Sequence, residues 1–146
     1  MVTHARNMRE LFTKPNAVFT GPMVCLINEI SASDGDIFPY QFKLYGLGPV
    51  IGKRTWGGII GIRGSLPIVD GGYLYKPEFG NMDAHGEWVV EGEGVSPDIE
   101  VDNDPAKEYA GEDEQLDKAI EVVLEELKTN KKQQIPELPE FPNKNK

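Results

Sequence analysis

The stretch VCLINEISASDGDIF, residues 24–38, decides which fold this chain adopts. Its apolar part, Met23 to Ile27, has the length of a strand and lies between two turn signals, Gly21-Pro22 and Ser31-Ala32-Ser33. We therefore expect a buried strand that is covered on both faces, followed by a sharp turn of small residues and the start of a helix.

The hydroxyl of Ser33 is the chemical group that this corner would present. A helix that begins directly after a strand points its first free N–H groups, here including that of Asp34, at whatever lies above the turn. A nucleophilic serine needs such a turn, because the oxygen is held exposed while donors converge on its target. The alternative is an ordinary helix N-terminus, since Ser, Asp and Gly are preferred there in any protein. The local pattern alone favours capping.

Length and charge restrict the class of protein. The chain has 146 residues, enough for one domain with a modest core, and 39% of them are hydrophobic. A net charge of −9 argues against a nucleic-acid partner, because phosphate binding draws on clustered Lys and Arg. No apolar run reaches the length of a membrane span, and no secretory signal is visible. The composition predicts a soluble domain that binds neither nucleic acid nor membrane.

The rest of the chain alternates helical and strand patterns, which predicts an α/β fold. The clearest helix runs from Asp113 to Lys128, with apolar residues on one face, acids early and a lysine at the end. A second helix is expected from near Asp36 to Gly46 or Gly48. Weaker signals predict a short helix from about Asn7 to Thr13, strands over 49–52, 59–62, 66–69, 73–75 and 88–90, a hairpin turn at 71–72 and a linker over 103–111.

Four other reactive side chains have structural explanations. Cys25 cannot form an intrachain disulfide and is interpreted as a small buried hydrophobe. His4 is expected to be a mobile terminal residue, His85 an exposed turn residue and Lys53 a solvated loop lysine. The sequence contains no metal-ligand cluster and no phosphate-binding loop, so neither a metal nor a cofactor is predicted.

Longer strings carry a more specific signal than these local patterns. Four strings together resemble the tricorn protease branch of the tail-specific (C-terminal processing) serine peptidases. They are NEISASDGDIFPY, YGLGPVIGKRTWGG, VDGGYLYKPEFG and GEWVVEGEGVSPDIEVD. The resemblance runs from about Gly21 to Leu127. It implies the α/β spiral fold shared by crotonase and Clp-type peptidases, a β-hairpin-rich segment and a C-terminal helix. It also implies hydrolysis of peptide substrates, a cytoplasmic setting and assembly as a homo-oligomer.

The resemblance assigns roles to individual residues. The second serine of the S-A-S motif is the family's nucleophile, which is Ser33 here, and the following N–H, that of Asp34, belongs to the oxyanion hole. The glutamate of the W-x-x-E segment falls at Glu91 and would orient the general base. Without the resemblance, Glu91 would be interpreted as a solvated loop acid. Gly58 stands where the bacterial branch has a base lysine, which points to a histidine base from earlier in the chain.

The upstream motifs that the resemblance implies are missing. Family members bring the base histidine, its serine partner and a second oxyanion donor from preceding segments, so we expect a truncated gene product or an expressed fragment. Residues 1–128 would be the C-terminal part of a catalytic domain, and 129–146 a Pro/Lys-rich tail. The alternatives are a non-catalytic peptide-binding or oligomerising module of the same fold and, third, a crotonase-like acyl enzyme.

Overall fold

A three-stranded parallel sheet carries the corner at Ser33. The protein is described from a computed structural model, which describes residues 2–4, 11–17, 19–129 and 140. The sheet has the strand order β3-β4-β7. The elements are β1 (Val2–His4), β2 (Leu11–Thr13), β3 (Cys25–Ile27), α1 (Asp34–Leu44), β4 (Val50–Gly52), β5 (Gly61–Pro67), β6 (Tyr73–Phe79), β7 (Ile99–Glu100), α2 (Pro105–Tyr109) and α3 (Glu114–Thr129).

The predicted β-α-β unit is confirmed in β3, α1 and β4. β3 pairs in parallel with β4, and Cys25, Ile27 and Val50 form a buried cluster with Phe42 of α1. Burial raises the pKa of the Cys25 thiol, in keeping with its interpretation as a core residue. The helix begins before Asp36, the expected start, so Pro39 lies inside it rather than in its first turn.

The expectation that β3 is covered on both faces is wrong. Its side chains alternate between buried and exposed, and Leu26 is 41% exposed. The predicted C-terminal helix is confirmed as α3 and packs against this face, but only its small residue Ala119 is fully buried. The longer residues Leu116 and Ile120 remain about half exposed, because no further layer of the described chain lies over them.

β5 and β6 form the predicted hairpin, with longer strands than expected. The segments predicted over 59–62 and 66–69 largely join into one strand, which irregularities in the register interrupt between Gly61 and Ser65. At the turn, Gly71 has a φ of 85° and Asp70 Oδ1 accepts the N–H of Gly72 at 2.9 Å. Every residue of β6 is exposed, so the hairpin extends from the rest of the described chain.

Two predictions around residues 88–111 are wrong. The strand expected over 88–90 is absent, because Val90 has a φ of 71° and Trp88 makes only an isolated bridge to Met82. The expected linker over 103–111 contains α2. Asp104 caps this helix by accepting N–H groups from its first turn, and Pro105 supplies a preset φ at its start.

The prediction of an N-terminal helix from about Asn7 to Thr13 is also wrong for residues 11–13, the part of it that the structure describes. Residues 11–13 form β2, which pairs antiparallel with β1, and residues 7–10 lie outside the described residues. The backbone of His4 therefore belongs to a strand rather than to a mobile terminus. Within the described ranges, no helix combines the length and the apolar character needed to cross a membrane.

Lys53 is partly exposed, in keeping with the prediction of a solvated lysine, but it also forms two ion pairs. Its ammonium lies 3.0 Å from Asp102 and 3.7 Å from Glu29, and the hydrogen bond to Asp102 raises the pKa of Lys53. Since Lys53 directly follows β4, these contacts connect the end of that strand to both neighbouring strand ends. Lys53 therefore connects the three strands at the carboxyl end of the sheet.

The Asp98 carboxylate, just before β7, bonds to the first residue of β4. We expect Asp98→Asn to lower the free energy of unfolding at pH 7 by about 1 kcal/mol. Asp98 Oδ2 accepts the N–H of Val50 at 2.8 Å, and Oδ1 lies 2.8 Å from the Lys43 ammonium. The hydrogen bond from Lys43 holds the pKa of Asp98 below its usual value. The stabilisation is therefore present above about pH 4 and lost as the pH falls through the folded-state pKa.

Urea unfolding at several pH values measures this effect. The difference between Asp98→Asn and the wild type should shrink below about pH 4. Glu100→Gln, which changes an exposed carboxylate of β7, is the control and should have little effect at any pH. A difference that persists unchanged in acid would contradict the assignment.

Candidate active site

Ser33 stands at the N-terminus of α1 without acting as its cap. Its φ and ψ are 56° and −114°, and its side chain makes no capping hydrogen bond. A capping serine instead has extended backbone angles and accepts an N–H from the first turn. The conformation observed is one that costs a residue with a Cβ about 1–3 kcal/mol. Ser33 is exposed, so its hydroxyl is available for another role.

The turn that leads to Ser33 is fixed by a local network. Asn28 Oδ1 accepts the N–H groups of Ile30 and Ser31, each at 3.1 Å. In return, the Ser31 hydroxyl oxygen accepts the N–H of Asn28 at 3.1 Å. These bonds satisfy the backbone of the turn locally, so the corner between β3 and α1 has a defined shape.

A glycine-containing loop, residues 56–58, lies against this turn. The N–H of Trp56 donates to the Ser31 carbonyl at 2.9 Å, and the N–H of Ser33 donates to the Gly58 carbonyl at 3.2 Å. Gly57 has a φ of 86°, and a Cβ there would lie 2.5 Å from the Gly94 nitrogen, so only glycine fits. The loop and the serine turn therefore hold each other in place.

The buried carboxylate of Asp36 is the anchor of this loop, and the sequence analysis missed it. Asp36 has no exposed surface, and it accepts the N–H of Gly57 at 2.7 Å and that of Gly58 at 3.3 Å. The signal in the sequence is an acid three residues after Ser33, and an acid at this position is equally typical of the start of a helix. Asp36 acts as a positioning residue, because it fixes the loop whose carbonyl receives the Ser33 N–H.

We expect Asp36→Ala to lower the free energy of unfolding by about 3 kcal/mol, because two N–H groups of the loop would lose their acceptor. Urea unfolding followed by circular dichroism measures the loss. The matched control is Asp34→Ala, an exposed acid in the same first turn, for which we expect about 0.5 kcal/mol. Equal losses in the two variants would show that the Asp36 carboxylate does not anchor the loop.

The N–H of Asp34 lies directly beside the serine and is free to bind a ligand. It is the first N–H of α1, and the described residues provide no acceptor for it. The next two N–H groups, those of Gly35 and Asp36, donate to Ala32 and Ser33 carbonyls. One backbone donor at the helix start is therefore available for an anionic oxygen.

Glu91 lies on the other side of the glycine-containing loop. It lies in a turn and directly follows Val90, which has a positive φ. The sequence predicted instead that Glu91 lies at the end of a strand. Its Oε2 accepts the N–H of Ile59 at 2.7 Å and that of Ile60 at 3.0 Å. The carboxylate is therefore held by two backbone donors rather than being a free solvated acid.

A single peptide unit connects Ser33 to Glu91. The carbonyl of Gly58 accepts the Ser33 N–H at 3.2 Å, and the N–H of the same unit, that of Ile59, donates to Glu91 at 2.7 Å. The fixed size of a peptide unit keeps the Ser33 nitrogen and Glu91 Oε2 within about 8 Å of each other.

The structure brings Ser33, Asp34 and Glu91 to one loop, but His85 forms no hydrogen bond with any of them. His85 is exposed in the predicted turn, and its backbone N–H donates to Asp83 at 2.8 Å. The N–H of Glu87, more than that of His85, lowers the pKa of Asp83. In the described ranges, no hydrogen bond joins the His85 ring to the site, and no group of three or more His, Cys, Asp or Glu could hold a metal ion.

Known proteins match most of this chain. Residues 2–101 match the model of peptidase family S41. The tricorn protease of Thermoplasma acidophilum is 40% identical over 125 residues, which is 86% of this chain and 12% of that protein. The putative tricorn-like protease C-terminal subunit of Sulfurisphaera tokodaii is 44% identical over 124 residues, which is 84% of this chain and 14% of that protein.

The fold agrees with these matches. The crystal structure of the tricorn protease superposes with a TM-score of 0.75 and 38% identity, over 88% of this chain and 12% of that chain. The chain thus spans roughly an eighth of the length of these relatives. One assignment follows from three findings: the family model covers most of the chain, the relatives are 40% identical or more, and the fold is shared. The chain belongs to peptidase family S41 and is similar to the tricorn proteases.

Proposed function

We propose that this chain carries the nucleophile and the orienting carboxylate of a serine peptidase site. Ser33 attacks the peptide carbonyl, the N–H of Asp34 binds the resulting oxyanion, and Glu91 orients an imidazole supplied by a segment outside this chain. The observation that carries the proposal is the backbone of Ser33, which is held in a strained conformation while its hydroxyl caps nothing. Strain of this kind concentrates at functional sites.

The chemistry follows from the geometry of the loop. As the Ser33 oxygen bonds to the carbonyl carbon, its proton moves to the imidazole, and the negative charge on the carbonyl oxygen faces the Asp34 N–H. The imidazolium then gives the proton to the leaving amine, and water later hydrolyses the acyl-enzyme by the same route. The carboxylate of Glu91, already fixed by Ile59 and Ile60, accepts the other N–H of the imidazole and stabilises its charged form.

The relatives support a site completed by another part of the protein. One of them is named a C-terminal subunit, which agrees with a catalytic region divided between segments. The base histidine, its serine partner and a second oxyanion donor would come from the preceding segment. The same resemblance supports the crotonase-like spiral, peptide substrates, a homo-oligomer and a cytoplasmic setting for the whole protein.

Added imidazole tests the proposal on this chain alone. A fluorophosphonate forms a Ser–O–P bond with loss of fluoride, and the serine proton must go to a base. We expect imidazole to raise the labelling rate of Ser33 in a saturable way, because the proposal places one imidazole between the serine hydroxyl and the Glu91 carboxylate. Mass spectrometry of the digested protein identifies the labelled residue.

N-methylimidazole is the matched control for the role of Glu91. It can accept the serine proton, but it has no second N–H to donate to a carboxylate. We expect it to stimulate labelling less and without saturation. If imidazole leaves Ser33 unlabelled, or if both bases act alike, the proposed site is wrong. The non-catalytic peptide-binding or oligomerising module is then the better description.

A further inference from the structure

Val90, the residue before Glu91, adopts a backbone conformation that a branched side chain disfavours. Its φ is 71°, and the N–H of Glu91 donates to the Val89 carbonyl at 2.8 Å. A hydrogen bond that spans three residues around a φ of this sign defines the rare, strained form of the γ-turn. Because a side chain branched at Cβ crowds its own backbone at a positive φ, other contacts must hold Val90 in this turn.

The side chain of Val90 is anchored in an apolar cluster. Only 6% of Val90 is exposed, and it packs with Ile59 and Val95, which are buried to a similar degree. We call these three residues the Val90 cluster. A change of φ would rotate the side chain away from its two neighbours and leave space in a packed cluster. The burial of the side chain therefore offsets the cost of the strained turn.

Backbone hydrogen bonds fix the residues on the other side of Glu91. The carbonyl of Val90 accepts the N–H of Gly94 at 2.7 Å. The N–H of Gly92 donates to the Gly57 carbonyl, also at 2.7 Å. Glu91 thus lies between two fixed residues, so the direction of its side chain follows from the conformation of Val90.

The Val90 cluster also contacts the helix that begins after Ser33. Ile37 and Tyr40 of α1 pack against the cluster. The N–H of Ile37 donates to the Ser33 carbonyl at 3.0 Å, so this contact lies in the first turn after the serine. One apolar cluster therefore touches both the helix that presents the proposed nucleophile and the turn that presents the proposed orienting carboxylate.

We propose that Val90 is a positioning residue for Glu91. Its anchored side chain holds the backbone in the γ-turn, and the γ-turn directs the carboxylate onto the N–H groups of Ile59 and Ile60. The inference rests on the proposed function, because it takes Glu91 as the carboxylate that orients the base. A relaxed φ at position 90 would turn the Glu91 side chain away from both N–H groups and from the base.

Hydrogen exchange of the Ile59 N–H reports the position of the carboxylate without any chemistry at Ser33. This N–H donates to Glu91 Oε2 at 2.7 Å, and the bond protects it from exchange while the carboxylate stays in place. Val90→Ala keeps the unfavourable φ but loses the anchoring methyl groups. We expect it to lower the protection factor of the Ile59 N–H about tenfold, as measured by NMR spectroscopy of the full chain.

Val95→Ala is the matched control for this comparison. Val95 belongs to the same cluster, is also 6% exposed and does not have a positive φ. Its truncation removes the same atoms from the cluster and therefore corrects for the general loss of stability. We expect the Ile59 protection factor to fall less than about threefold in this variant. Equal losses in the two alanine variants would overturn the inference.

Val90→Gly tests the strain separately. Glycine adopts a positive φ freely, whereas alanine does not, so the glycine variant should unfold at a urea concentration no lower than that of Val90→Ala. A clearly lower midpoint for the glycine variant would show that the turn is not strained. Because glycine also lacks the anchoring side chain, it should show the same loss of Ile59 protection, and it replaces Val90→Ala if the alanine variant does not fold.

Imidazole-dependent labelling connects Val90 to the chemistry of the site. In Val90→Ala we expect the imidazole concentration for half-maximal labelling of Ser33 to rise about tenfold. Labelling driven by N-methylimidazole, which has no second N–H to donate to Glu91, should stay within about twofold of the wild type. A purely structural role of Val90 would lower both rates together and would contradict the inference.

The outcomes separate this inference from the proposed function. A loss of Ile59 protection that is selective for Val90→Ala supports the positioning of the carboxylate, and if imidazole never activates Ser33 the peptidase role alone is wrong. If imidazole activates Ser33 equally in the wild type, Val90→Ala and Val95→Ala, the peptidase proposal stands and the role of Val90 is wrong.

Discussion

Ser33→Gly is expected to stabilise the protein by about 1 kcal/mol while reducing imidazole-dependent labelling and peptidase activity by about 10⁴-fold or more. The gain arises because glycine adopts a φ of 56° and a ψ of −114° without the steric cost that a Cβ incurs. Part of that gain is offset, since glycine also loses more freedom on folding. The loss of activity arises because the nucleophilic oxygen is gone.

Ser33→Ala is the matched variant for the stability effect. It removes the same oxygen but keeps the Cβ, so labelling should disappear while the free energy of unfolding stays within about 0.5 kcal/mol of the wild type. Urea unfolding and labelling are measured on the same preparations. If the glycine variant is less stable than the alanine variant, the backbone conformation at position 33 does not carry the steric cost of a Cβ that we propose. If labelling survives in both, another serine reacts.

Glu91→Gln is expected to have the second-largest effect, a fall of about 10²- to 10⁴-fold in the rate of the assembled peptidase. The amide oxygen of glutamine can still accept the N–H groups of Ile59 and Ile60, so the turn should keep its shape. The negative charge that stabilises an imidazolium is lost, however. In this chain alone, the saturable response of labelling to imidazole should disappear.

Glu93→Gln is the control for charge. Glu93 is an exposed acid two residues further along. Its backbone carbonyl accepts from Arg54 at 2.7 Å and its N–H donates to Val90 at 3.0 Å, but within the described residues its carboxylate has no hydrogen bond or ion pair. Removing its charge should change the labelling rate less than about twofold. Similar losses in the two glutamine variants would mean that Glu91 acts only through the overall charge of the chain.

The parts of the fold that local chemistry determines could be predicted from the sequence. The short apolar strand, the turn of small residues and the amphipathic α3 each depend on neighbouring residues, and each forms close to its expected bounds. α2 was missed, although Asp104 and Pro105 are typical start signals, because a five-residue helix has little apolar periodicity to support them.

The elements that the sequence could not predict depend on distant contacts. Residues 88–90 have strand-forming side chains, yet Val90 adopts a positive φ in a turn closed by the bond from the Gly94 N–H to its carbonyl. Asp36 is an acid, which normally lies at the surface, and its burial follows from two N–H groups of a loop about twenty residues away. The positions of Ser33, Asp34 and Glu91 came from the family resemblance, and their roles stay predictions.

The shared peptide unit between Gly58 and Ile59 has a mechanical consequence. One end of this rigid amide plane holds the backbone of Ser33 and the other holds the Glu91 carboxylate. When thermal motion displaces the loop, both attachments travel with it in the same direction, and the gap between them changes little. The distance between the Ser33 nitrogen and the Glu91 carboxylate is therefore set by one amide plane, whose length does not vary.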